Sequence, residues 1–150
     1  MSTASIRIPD TADASDYPPV PEPNYLTQFF WDGVADHKLL IQRCNACGTY
    51  IHYPRPICPK CHSMDDLGPA EMSGRGTVYT HTTAIQAFHP YFVHHTPYNI
   101  IVVALEEDDS IRITSNMVDC ENDDIRVGMP VQVTFREVAP GLTLPLFMPA

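Results

Sequence analysis

From Gly74 onward the chain alternates apolar and polar positions with a period of two, and its apolar positions favour β-branched and aromatic residues. That pattern predicts strands at 76–87, 98–106, 110–118 and 130–138, and a last one near 142–147. The acidic turn Glu106-Glu107-Asp108-Asp109 separates the second strand from the third like a hairpin loop, and Gly128 and Pro130 give turn chemistry before the apolar run VQVTF. Five strands with one longer connection after the third predict a small closed or nearly closed barrel, with an OB-fold as the natural candidate. Upstream, Asn24 can cap a helix in which Tyr25, Leu26, Phe29 and Phe30 recur at helical spacing, and Gly33 is placed to loosen or end it. Five prolines among scattered Asp and Ser mark residues 1–23 as a disordered or extended arm. The expected class is mainly β: the arm, a helix within 24–37, a cysteine module over 38–72, and a five-stranded barrel with an apolar C-terminal tail over 73–150.

The cysteine module carries the clearest chemistry. Cys44-Asn45-Ala46-Cys47 and Cys58-Pro59-Lys60-Cys61 form two C-x2-C pairs, with LLIQRC (39–44) reading as a short strand into the first. Each pair can turn its two sulfurs toward one centre, and four thiolates satisfy tetrahedral zinc. Gly48 permits the tight backbone that such a knuckle demands. The intervening GTYIHYPRPI is long enough for a short hairpin, the layout of a rubredoxin-like ribbon. The same ligand set can hold redox iron, whereas a thioredoxin-like dithiol needs one pair rather than two. A closed four-sulfur site leaves no position for substrate, so the metal is expected to be structural. The fifth cysteine, Cys120, is flanked by Asp119 and Glu121, whose charges oppose a thiolate, and it reads as structural. Paired cysteines used for metal, with an odd one left over, point to a reducing cytoplasm.

Charge narrows the function classes. The chain has 150 residues with 18 acids and 9 bases, a formal net charge of −9. Residues 1–36 carry six acids and one base, residues 37–62 four bases and no acid, and residues 63–150 twelve acids and four arginines. Neither a long polyanion nor an anionic bilayer suits such a surface, so no nucleic-acid or membrane partner is expected. The N-terminal MSTASIRIPD lacks the apolar stretch of a signal peptide, and no run of eighteen apolar residues exists to span a membrane. The basic island of Lys38, Arg43, Arg55 and Lys60 coincides with the cysteine pairs. Those cations either offset thiolate charge or bind a small anion.

Several residues want a partner. Phe29, Phe30 and Trp31 are adjacent, and one helix cannot bury all three on one face, so at least one is a candidate anchor for another chain. His81, His89, His94 and His95 cluster around AFHPYFVHHTPY. No zinc-ligand spacing or catalytic partner accompanies them, which leaves an aromatic loop over 88–97, including Phe92, lying on a ligand or a partner. The final GLTLPLFMPA is apolar throughout, with prolines that interrupt regular pairing, and is expected to dock through Leu146 and Phe147. No nucleophile–base pair can be named, so no catalytic residue is assigned.

The order of these features is also recognisable. FFWDGV leads into LLIQRCNACG, then YPRPICPKCHS, SGRGTVYTHT, PYNIIVVALEE and RVGMPVQVTF. Over roughly 24–148 this resembles the acyl-CoA-associated family that joins a rubredoxin-like zinc ribbon to an OB-fold, domain-of-unknown-function family 35. Its most specific pieces are the two cysteine pairs, Pro54-Arg55-Pro56, and Ser73-Gly74-Arg75-Gly76. The resemblance implies zinc on Cys44, Cys47, Cys58 and Cys61. It further implies a non-catalytic accessory subunit, in a hetero-oligomer, of a thiolase-superfamily aldolase or thiolase acting on acyl-CoA thioesters, such as the retro-aldolases that shorten steroid side chains. Such a subunit completes the partner's fold and its acyl-CoA channel. Partnership with a hotdog-fold enoyl-CoA hydratase is the alternative, and a nucleic-acid-binding module is the rival from another class. Guanidinium and ammonium groups are the expected ligands for the phosphates of coenzyme A, which makes Lys38, Arg43, Arg55, Lys60 and Arg75 the candidate contacts.

Overall fold

The computed structural model describes residue 13 and residues 15–150. Most of the expected arm lies outside that range; within it, residues 18–23 run without helix or strand, and Pro18 is buried. Asn24 does cap the turn that follows, its Oδ1 accepting the N–H groups of Leu26 and Thr27 at 2.9 and 3.2 Å. The regular helix α1 spans Gln28–Ala35. Gly33 neither loosens nor ends it. A Cβ there would meet the Leu40 side chain at 2.7 Å, so this glycine is the point where helix and ribbon touch. The helix stops at His37, whose φ of 58° is left-handed. The His37 and Lys38 N–H groups bond back to the carbonyls of Val34 and Gly33, completing a Schellman cap.

The ribbon is a three-stranded antiparallel sheet of β1 (Leu40–Cys44), β2 (Tyr50–Ile51) and β3 (Leu67–Glu71), in the order β2-β1-β3. Strand β3, LGPAE, escapes a pattern reading because Gly68 and Pro69 are strand breakers. Pro69 is tolerated since β3 is an edge strand, and it pairs opposite Gln42 of β1.

The barrel strands are β4 (Arg75–Ala84), β5 (Tyr98–Leu105), β6 (Arg112–Ser115), β7 (Pro130–Ala139) and β8 (Leu142–Pro149). They form a curled sheet in the order β6-β5-β4-β7-β8. The chain just after β6 then closes on β8: Met117 and Phe147 form a parallel bridge, and Phe147 exchanges backbone hydrogen bonds with Asn116 and Val118 at 3.1 and 2.8 Å. The first and third strands thus flank the last two, which is the OB-fold arrangement.

Two expectations for the C-terminus fail here. The segment 142–149 is no docking tail, because it pairs with β7 along its whole length, and Pro145 and Pro149 do not prevent this. Phe147 is not a partner residue either. It is fully buried in the barrel core, and Leu146 is buried as well. Among the described residues β8 is met on its other side only around Phe147, so Pro145 and Pro149 occupy positions where a missing N–H costs little.

The base of the ribbon joins the barrel core, while Cys44, Ile51 and Cys58 form a small cluster of their own around the sulfurs. Leu39, Ile41 and Met72 from the ribbon pack in the same cluster as Val78, Ile101, Val103, Ile113, Val131 and Phe147. Within the barrel, Gly76 lets β4 and β5 approach closely, since a Cβ there would lie 2.3 Å from the Ala104 carbonyl oxygen.

Candidate metal centre and adjoining groove

Both cysteine pairs are built on the same backbone hook. Cys44 C=O accepts from Gly48 N–H at 2.7 Å while Cys44 N–H donates to Thr49 C=O at 2.9 Å. In the second hook Cys58 C=O accepts from His62 N–H at 3.0 Å and Cys58 N–H donates to Ser63 C=O at 2.9 Å. Gly48 and His62, each just after its pair, hold left-handed φ values of 77° and 60°. The two hooks face each other, and the four sulfurs lie within 4.8 Å of one another. Cys44 and Cys61 sulfurs are 3.5 Å apart, and those of Cys47 and Cys58 3.6 Å. A sulfur tetrahedron with metal bonds of about 2.3 Å has edges of about 3.8 Å, so this donor set fits zinc closely.

The electrostatics of the four thiols favour a cation. Hydrogen bonds from the Thr49 hydroxyl and N–H pull Cys47 down to about 6. The N–H of Cys61 draws Cys58 below the ordinary thiol value. Cys61 goes the other way: the Ser63 N–H lowers it, but Cys44, burial and the remaining sulfurs outweigh that and push it up to about 12. Four adjacent thiolates cannot coexist without a compensating charge, and a dication supplies it. All four ligation positions are then filled by protein, leaving none for chemistry on a substrate.

Beside the ribbon lies a mostly apolar groove of about 400 Å³. Its walls come from three elements: Phe30 and Trp31 of α1, His52 to Pro54 of the ribbon, and Leu144 to Leu146 of β8 against the end of β6. Phe30 also packs on the core, with Trp31 edge-on to it at a centroid distance of 5.1 Å. The three adjacent helix aromatics are all half-buried. Burial pushes the His52 imidazole down to about 4, so it faces the groove as a neutral ring. The buried Gln42 side chain holds the next stretch in place. Its Oε1 accepts from Arg55 N–H at 2.8 Å, and its Nε2 donates to Arg55 C=O at 2.9 Å. Sequence reasoning passed over His52, Tyr53 and Gln42, because no periodicity marks a loop residue that a distant strand will meet.

The five candidate cations do not share one environment. Arg43 donates to Gly48 C=O at 3.3 Å and lies over the Tyr50 ring, and Arg75 is paired with Glu106 at 2.6 Å. Lys38, Arg55 and Lys60 are exposed and make no ion pair among the described residues. Arg55 follows directly on the groove wall at Pro54.

Comparison with known proteins accounts for this layout. Residues 31–65 match the model for the rubredoxin-like zinc ribbon domain of ChsH2, and residues 70–136 the model for its C-terminal OB-fold domain. A DUF35 domain-containing scaffold protein of Methanocaldococcus jannaschii is 36% identical over 109 residues, which cover 72% of this chain and 75% of that one. This chain belongs to the DUF35 family. A solved chain of an Ltp2-ChsH2(DUF35) aldolase superposes with a TM-score of 0.79 at 39% identity, covering 86% of this chain and 98% of that one. A probable enoyl-CoA hydratase alpha subunit of Thermomonospora curvata is 39% identical over 132 residues. The match takes in 88% of this chain, which spans only 40% of the length of that subunit. The four clustered cysteines of the DUF35 chain fall inside the ribbon match, as do Trp31 and the His52–Pro54 wall, whereas Leu144 to Leu146 lie beyond the matched OB-fold stretch.

Proposed function

We propose that this DUF35 chain is a non-catalytic accessory subunit that binds and stabilises a thiolase-superfamily aldolase or thiolase acting on acyl-CoA thioesters. One observation carries the reading: the solved chain that this one matches almost end to end belongs to an Ltp2-ChsH2(DUF35) aldolase. The site chemistry supports it. The four cysteines hold structural zinc, which ties the two hooks together and keeps the ribbon wall of the groove in place. The groove is apolar with a neutral imidazole inside, as suits an acyl or pantetheine segment or an apolar partner surface, and Arg55, Lys38 and Lys60 remain free to meet phosphates. Arg43 and Arg75, already engaged, are weaker candidates for coenzyme A.

The role requires that the partner depends on this chain. Co-expression with the host's thiolase-superfamily enzyme yields a soluble, active complex, and omission of this chain yields insoluble or short-lived enzyme. Full, stable activity of that enzyme expressed alone refutes the proposal. A second reading, partnership with an enoyl-CoA hydratase, is favoured by the name of the Thermomonospora relative. The same purification decides between them by the activity that co-elutes with the tagged chain.

A further inference from the structure

Between Arg75 and Glu106 the chain has no Asp, Glu, Lys or Arg for thirty residues, although the molecule as a whole carries −9. This stretch is β4, β5 and the loop that joins them. In β5 alternate residues are buried, so Tyr98, Ile100 and Val102 face outward. Their cross-strand neighbours Ala84, Thr82 and Thr80 face the same way. The solvent side of an antiparallel sheet is ordinarily polar or charged, and here it is apolar and hydroxylic.

The loop continues that face and is braced by contacts of its own. Tyr91 stacks on His95 with centroids 4.0 Å apart, and Phe92 stacks on Tyr98 at 4.4 Å. His89 Nδ1 accepts from Tyr91 N–H at 3.3 Å, and the His95 ring nitrogen bonds Tyr91 C=O at 2.6 Å. This internal stacking turns three large apolar side chains out to solvent: Ile85 and Phe88 are 83% and 80% exposed and Val93 59%. An ordered loop that presents apolar anchors has already met the ordering cost of binding.

We infer that the uncharged outer face of β4–β5, with Ile85, Phe88 and Val93 at its tip, is the surface on which the thiolase-like partner subunit docks. The inference rests on the proposed function and adds the location of the interface. Charge selects the occupant. A second copy would bring another body of −9 against this one within a Debye length of about 8–10 Å, which opposes self-association. A nucleic acid finds no Lys or Arg on this stretch, and the one guanidinium beside it, Arg112, is stacked on the Tyr79 ring at 4.1 Å. A folded subunit with a neutral, apolar contact face is the occupant whose chemistry matches this one.

The test uses the full-length chain co-purified with the thiolase-superfamily enzyme of its host. Ile85→Glu and Phe88→Glu place a carboxylate at exposed positions that do not support the fold. Each is expected to weaken the complex on the order of 100-fold in Kd, with zinc content and thermal midpoint of the isolated chain unchanged. Val127→Glu, at an exposed apolar position outside the stretch, is expected to leave Kd unchanged. Complex formation by both loop variants at wild-type affinity overturns the docking site and leaves the accessory role standing. No complex with the wild-type chain overturns both. Sedimentation of the isolated wild-type chain adds a further arm: a dimer that Phe88→Glu dissolves assigns the face to a second copy and refutes the partner as its occupant.

Discussion

At the scale of residues, buried polar groups do the positioning. Gln42 is 7% exposed and satisfies both backbone groups of Arg55 from a strand thirteen residues away. Gln42→Leu removes both bonds and leaves the Arg55 N–H and C=O unpaired, at an expected cost of about 1–3 kcal/mol in chemical denaturation. Hydrogen exchange at Arg55 is expected to rise with it. His52 makes stability depend on pH. Its folded-state value is about 4, below the ordinary histidine value near 6.5, so between those limits the unfolded chain binds the proton and the native chain does not. Stability therefore falls as pH drops from about 6.5 to about 4. His52→Phe removes this contribution, so thermal midpoints measured across that window are expected to fall less steeply for the variant than for the wild type. Equal slopes would show that the imidazole is not desolvated.

At the scale of elements, strand pairing explains why the C-terminal segment is ordered. Strand β8 closes the barrel against the chain after β6, and its Phe147 lies at the centre of the core. Removal of residues 142–150 is expected to yield unfolded or insoluble chain rather than a folded barrel that merely loses a partner, as read by circular dichroism and solubility. Far-UV spectra matching those of the intact chain would contradict the closure described above. The pattern of alternation located β4, β5, β7 and β8 to within a few residues, because a half-buried strand must present one face to the core. It overran β6, which the spacing extends to 118 and the structure ends at Ser115, where the chain leaves β5 to meet β8. It missed β3 altogether, since Pro69 and Gly68 are admitted by an edge position that only pairing reveals.

On this geometry the described residues are expected to unfold as one cooperative unit. Leu39, Ile41 and Met72 join the base of the ribbon to the barrel core, and the strand β1 that carries Ile41 also carries Cys44 of the separate cysteine cluster, which links the metal centre to the barrel. The purified chain is expected to hold one zinc per molecule, read by atomic emission. Its removal with a strong chelator is expected to lower the single calorimetric transition rather than melt the ribbon alone. Two separated transitions would show that the shared core does not couple them. No helix of the described residues is long and apolar enough to cross a membrane.

What the sequence determined by itself was chemistry that depends on spacing along the chain. Two C-x2-C pairs specify a four-sulfur centre wherever they fold, and period-two alternation specifies strands with one buried face. The resemblance in motif order likewise named a family that the comparisons bear out. Only the tertiary structure decided which apolar residues are spent internally and which remain free. Phe147 and the C-terminal segment look available for docking in one dimension and are consumed by barrel closure in three. Arg43 and Arg75 look like free cations until Tyr50 and Glu106 arrive beside them. The reason is physical: burial and pairing are set by contacts between residues distant in the chain, and no local pattern encodes which distant residue will come.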